Sequence, residues 1–280
     1  MENKPRFCLK EKEINTTLDK ILNTPLTKEE TNLRLRKIYS CIDNTTLEGN
    51  DNDRKIRDFC RTTLSLANKQ KGVNSVASVC VYPTFVRLAK KCLQGSGISV
   101  ASVAGGFPSA QMPFELRLRE VQYAIDEGAD EIDTVISRGM FLERKHLTVF
   151  EELSAIRSVC KDIKLKVILE TGDLQTTDNI YTASKIALAA GADFIKTSTG
   201  KTAVGATEKA AYIMLKAIQE ETKSTGRIIG FKAAGGISNA EQALNYYKIV
   251  EYFLGDNIDN NVFRIGASKL TKTLYEQLTQ

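Results

Sequence analysis

Histidine is almost missing from this chain: His146 is the only one in 280 residues. That excludes a multi-histidine metal centre and a serine triad with a spare base. Acid–base chemistry must then fall mostly to Asp, Glu, Lys, Tyr or water. His146 opens the helical pattern "HLTVFEELSAI", where a surface or capping role is expected. Long apolar runs are missing too. The opening "MENKPRFCLKEKEINTT" is charged from the start, so neither a signal peptide nor a membrane span is expected. The six cysteines, at 8, 41, 60, 80, 92 and 160, form no C-x-x-C pair and no zinc spacing. Reduced thiols in a cytoplasmic protein are the expectation. The net charge of +5 is spread along the chain without a basic block, which argues against a nucleic-acid partner. It is compatible with a phosphorylated small molecule.

Two nucleotide-binding signatures are also missing. No G-x-G-x-x-G follows the first candidate strand. "DFIKTSTGKT" (193–202) ends like a P-loop, but the glycine required five residues before Gly200 is Ile195. A β-branched residue does not take the conformations that glycine allows there. The feature left to explain is Lys196, directly behind two large apolar residues.

What is present is a regular alternation. Strand candidates occur at 37–43, 75–82, 98–104, 130–137, 165–170, 193–198, 227–234 and 263–268, with amphipathic segments such as "PFELRLREVQYAIDEGA" between them. Gly128, Gly191 and Gly226 close helices just ahead of strands. Strict β/α alternation implies a parallel sheet. Eight units in this length predict a closed (β/α)8 TIM barrel, which takes about 250 residues. Residues 1–36 fall outside the alternation and are expected to form an N-terminal helical extension to a barrel domain at 37–280.

"GADEID" (128–133) and "GADFIK" (191–196) share one frame, which puts Asp133 and Lys196 at equivalent positions on strands four and six. Alternate strands feed one interior layer of such a barrel, so these two side chains should meet. Strand seven adds Lys232 in "RIIGFKAAGG". Each lysine alone reads equally well as the first exposed residue of a strand end. Two lysines and an aspartate at the rim where barrels keep their chemistry read as a site. At about 6 Å and an effective dielectric near 20, two ammoniums repel by roughly 2.8 kcal/mol, or about 2 pKa units. One lysine can thus free its neighbour as an imine-forming nucleophile. Glycine-rich turns follow strands six to eight, in "TGKT", "AAGGIS" and "IGAS". Singly each is a tight turn. Together with Lys201 they suggest a phosphate handle.

These segments, with "SCIDNTTL", "CVYP" and "DEIDTVI", resemble deoxyribose-phosphate aldolase, a class I aldolase, from about residue 36 to 270. The longer N-terminus is similar to the eukaryotic-type members. The resemblance implies a lyase that cleaves 2-deoxy-D-ribose 5-phosphate to acetaldehyde and D-glyceraldehyde 3-phosphate, in deoxyribose phosphate catabolism, without metal or organic cofactor. It implies Lys196 as the Schiff-base lysine, Lys232 as the residue perturbing it, Asp133 in the proton relay and Asp43 supporting that relay. It places Thr199, Gly200, Lys201, Gly235, Gly236, Gly266 and Ser268 around phosphate or substrate hydroxyls, and Cys80 near the pocket with a packing role. A homodimer is a further implication. The chain departs from the family at Ser238, where many relatives carry a basic residue, and at its end, where Tyr275 is not expected to reach the site. Glu170, closing strand five, is open to a supporting role or a structural ion pair. The rival readings are another Schiff-base barrel activity, such as a transaldolase or dehydratase type, and a sugar-phosphate binder without catalysis.

Overall fold

Eight parallel strands pair in chain order, and the eighth returns to the first to close a barrel. The computed structural model describes residues 10–67 and 72–280; Cys8 and the first nine residues of the expected extension lie outside them. The strands are β1 (Ile42–Thr45), β2 (Ser78–Val81), β3 (Ser99–Val103), β4 (Glu131–Val135), β5 (Lys164–Ile168), β6 (Phe194–Lys196), β7 (Gly230–Ala234) and β8 (Phe263–Ala267). The helices are α1 (Glu11–Leu22), α2 (Lys28–Ser40), α3 (Asp53–Ser65), α4 (Val86–Cys92), α5 (Phe114–Asp126), α6 (Arg138–Leu142), α7 (His146–Cys160), α8 (Thr171–Leu174), α9 (Thr177–Ala189), α10 (Glu208–Thr225), α11 (Ala240–Leu254) and α12 (Leu270–Thr279). No described helix is long and apolar enough to cross a membrane.

The expected (β/α)8 barrel is the observed fold, with one strand misplaced by the sequence reading. Residues 37–40 are not the start of β1; they finish α2. That helix begins with a capping box, in which Thr27 and Glu30 satisfy each other's backbone N–H groups, and it buries Leu35, Ile38 and Tyr39. The apolar residues that resembled a strand are the inner stripe of a helix. Helix α1 lies against α10 and α11, and α2 against α11 and α12.

Parallel strands covered on both faces are normally apolar throughout. Here only the outward face obeys: Ile132, Val167, Ile195, Phe231 and Ile265 are buried under the helices. The inward face carries Asp43, Asp133, Lys166, Lys196, Lys232 and Arg264, all buried. Buried charge is tolerated only when paired, so the barrel interior is organised around ion pairs. Beneath them Phe194 fills the barrel. It demands glycine opposite, since a Cβ on Gly230 would lie 2.1 Å from the Phe194 ring.

Candidate active site

The repeated Gly-Ala-Asp frame builds two walls of the site by one device. Gly128 and Gly191 take φ of +97° and +91°, a left-handed turn out of the preceding helix. The next aspartate then pins the neighbouring strand. Asp130 accepts from the Val100 N–H and Lys90, and Asp193 from the Leu165 N–H and Arg157. Three residues on, Asp133 and Lys196 both turn inward, and they meet: Lys196 Nζ donates to Asp133 Oδ2 at 2.7 Å.

Lys232, in register beside Lys196, donates to the same Oδ2 at 2.8 Å. The two nitrogens are therefore no farther apart than those two bonds laid end to end. Lys232 also donates to Asp43 Oδ2 at 2.5 Å. The sequence reading missed three members of this cluster. Lys166 donates to Asp133 Oδ1 at 2.8 Å and pairs with Glu131 at 2.6 Å. Arg264 donates to Asp43 Oδ1 at 2.6 Å and to Glu131 Oε1 at 2.8 Å. The signal was available in the alternation: Glu131 precedes Asp133 by two on β4, and a lysine or arginine inside "LKVILE" and "FRIGAS" faces the same interior.

Electrostatics separates Lys196 from Lys232. Burial pushes Lys196 below the ordinary lysine value; Asp133 opposes this and the Lys232 charge reinforces it. Desolvation, not Lys232, is thus the leading cause, which reverses the emphasis of the sequence argument. Burial acts on Lys232 as well, but Asp133 and Asp43 outweigh it and hold that ammonium above the ordinary value. Burial would raise Asp133, yet Lys166, Lys196 and Lys232 hold it well below the carboxylate range. Lys232, Arg264 and Lys166 do the same for Asp43. The Cys80 thiol, fully buried, is pushed up to about 11 by burial first and Asp133 second, so it stays protonated.

Above the cluster a cavity of about 380 Å³ opens to solvent. Lys196 borders it, while Asp43, Asp133 and Lys232 lie beneath with no exposed surface. Thr199, Gly200 and Lys201 form one wall, and Gly235 and Gly236 another, with Gly266 and Ser268 completing the set. Gly235 and Gly236 have φ of +93° and +84°, and the Gly235 backbone is packed so closely on Gly205 that a Cβ there would sit 2.9 Å from it. All seven expected anion-binding residues therefore share one cavity. Ser238 also borders it, but its N–H is held by Gln242 Oε1 at 2.9 Å. Lys269, not anticipated, lines the same wall. Glu170 is buried in a left-handed turn after β5 and accepts from the Thr199 hydroxyl and N–H, with Arg138 3.7 Å away. It orients the Thr199 wall and is half of an ion pair. Tyr275 lies beside Tyr39, its ring tilted at 45° and 6.3 Å away, outside the cavity lining. His146 stacks on Phe141 at 4.7 Å, and the five described cysteines are free thiols.

Residues 38–247 match the profile of the DeoC/LacD family of aldolases. The chain is 43% identical to the human deoxyribose-phosphate aldolase over 256 residues, covering 87% of this chain and 80% of the human one. It is 42% identical to the Bos taurus deoxyribose-phosphate aldolase over 266 residues, covering 91% and 83% respectively. Among solved structures, a Coccidioides immitis protein superposes with a TM-score of 0.73 at 28% identity, covering 96% of this chain and 98% of that one.

Proposed function

The chain belongs to the DeoC/LacD family of aldolases and is therefore a lyase, and from that membership we propose that it reversibly cleaves 2-deoxy-D-ribose 5-phosphate to acetaldehyde and D-glyceraldehyde 3-phosphate through an imine on Lys196. The observation that carries this reading is that Lys196 joins the buried ionic cluster to the cavity, with its ammonium form disfavoured by burial.

In the cleavage direction the uncharged Lys196 amine adds to C1 of the open-chain sugar, and loss of water leaves a protonated imine. The C3 hydroxyl gives up its proton, the C2–C3 bond breaks, and its electron pair moves into the imine to form an enamine. Glyceraldehyde 3-phosphate departs. Protonation of the enamine at C2 and addition of water then release acetaldehyde and restore the amine. Lys232 is the proton store, because two carboxylates keep it charged. Asp133 is held so firmly ionised that it passes protons on, directly or through water, rather than keeping them. Asp43 anchors Lys232 from the other side. The 5-phosphate takes the glycine turns of the cavity wall, where backbone N–H groups and Lys201 offer donors. We include a cytoplasmic location and a role in deoxyribose phosphate breakdown in this proposal.

The test is a cleavage assay on 2-deoxyribose 5-phosphate with detection of both aldehydes. Wild-type protein should release them in equal amounts, and Lys196→Leu should lose about 10⁴-fold or more in rate. A Lys196→Leu protein that keeps a comparable rate overturns the assignment.

A further inference from the structure

Seven ionisable side chains are buried together inside the barrel: Lys166, Lys196, Lys232 and Arg264 against Asp43, Glu131 and Asp133, each no more than 3% exposed. With all three carboxylates ionised, four cations leave one positive charge in excess. A dry interior disfavours that excess. Arg264 does not lose a proton in proteins. Lys166 has carboxylate oxygens at 2.6, 2.8 and 3.6 Å, and Lys232 at 2.5 and 2.8 Å. Lys196 has one, at 2.7 Å, on an oxygen it shares with Lys232. The proton that balances the cluster is therefore the one Lys196 lacks.

The surroundings do not upset this balance. From β2 comes the Cys80 thiol, and β3 offers Ala101 and Val103. Lys164 approaches Glu131 at 3.7 Å, but its side chain keeps 27% of its exposure and is screened by solvent. Above the site Glu170 faces Arg138 at 3.7 Å and Lys201 faces Glu48 at 3.4 Å, while Lys269 is at the exposed rim.

Two members of the cluster have no part in the imine chemistry. Neither Glu131 nor Arg264 borders the cavity or bonds Lys196. Glu131 holds Lys166, and Arg264 holds the far oxygen of Asp43. We propose that Glu131 and Arg264 are positioning residues that set, through the charge balance of the barrel interior, whether the Lys196 amine is free to attack. This rests on the reading of Lys196 as the imine-forming residue. Removing the Arg264 charge leaves one carboxylate unbalanced. An amine, with an ordinary pKa about six units above a carboxylate's, takes up the compensating proton, and Lys196 is the amine without one. Removing the Glu131 charge acts in the opposite sense.

The experiment measures the rate at which acetaldehyde and cyanoborohydride modify Lys196 as a function of pH, read by peptide mass spectrometry. Arg264→Met should move the midpoint upward by about one pH unit, and Glu131→Gln downward by a similar amount, as expected for a charge roughly 10 Å away at an effective dielectric near 20. The double variant, balanced again, should return to the wild-type midpoint, and Arg264→Lys should stay there. Should Arg264→Met fail to fold, the downward shift in Glu131→Gln is still required. Shifts of the same sign in both single variants, or no shift in folded Glu131→Gln, overturn the proposal while leaving the Lys196 imine standing. No adduct on wild-type Lys196 overturns both.

Discussion

Lys196 and Lys232 are the same side chain on neighbouring strands, paired in register, yet their environments push their pKa values in opposite directions. Lys232 has two carboxylates and Lys196 a share of one. Burial therefore disfavours the ammonium form of Lys196 in the folded state, and that costs stability at neutral pH. Because its folded pKa lies below the ordinary value of about 10.4, the penalty is missing above that pH and grows as pH falls toward the folded value. Lys196→Met should thus melt above wild type at pH 7, with the gain shrinking toward pH 10 in thermal unfolding. Lys166→Met should do the reverse, losing about 3–5 kcal/mol, because it breaks two buried ion pairs, to Glu131 and to Asp133. Lys232→Met should lose about 10²-fold in kcat/KM at neutral pH and recover part of it at higher pH, since Lys196 then takes up the missing proton. In the proposed phosphate wall, the Ser238 N–H is occupied by Gln242, and Lys201 faces Glu48. Lys269→Gln should therefore raise KM for the phosphorylated sugar about tenfold, a hydrogen bond to a charged group being worth about 1.5 kcal/mol, with a smaller change in kcat.

At the scale of elements, the period-two alternation and the Gly-Ala-Asp frame made seven strands and the Asp133–Lys196 meeting readable from the chain. β1 was misread because "KIYSC" presents its apolar residues at a spacing that fits the end of a helix as well as a strand; the capping box at Thr27–Glu30, fourteen residues upstream of Cys41, decides the matter. Lys166 and Arg264 went unread for a different reason. The alternation gives the face each takes but not its partners, and only closure of the barrel brings Glu131 and Asp43 to them. β6 and β7 are held in place by a ring against a bare backbone. Gly230→Ala should therefore overpack Phe194 and cost about 1–3 kcal/mol in chemical denaturation. Thr207 accepts from the Ala210 N–H to start α10, and Thr207→Ala should cost about 1 kcal/mol.

Over the whole molecule, the barrel interior is a paired ionic cluster whose open end is Lys196, the proposed nucleophile. Its carboxylates and its cations limit stability at opposite ends of the pH scale. Asp43 and Asp133 sit below the ordinary aspartate value of about 3.9, so their contribution is complete above about pH 4 and declines as pH falls through their folded values. Lys166 and Lys232 sit above about 10.4, so theirs is complete below about pH 10 and is lost as pH rises through their folded values. Between these limits burial disfavours the charge on one amine, Lys196, and the proposed chemistry depends on that amine. The most direct measurement incubates the protein with acetaldehyde and borohydride at neutral pH and maps the modified peptide. The account predicts a two-carbon adduct on Lys196 that is missing in Lys196→Leu and much reduced in Lys232→Leu. A folded wild-type protein that forms no adduct, or forms it on another lysine, would contradict it.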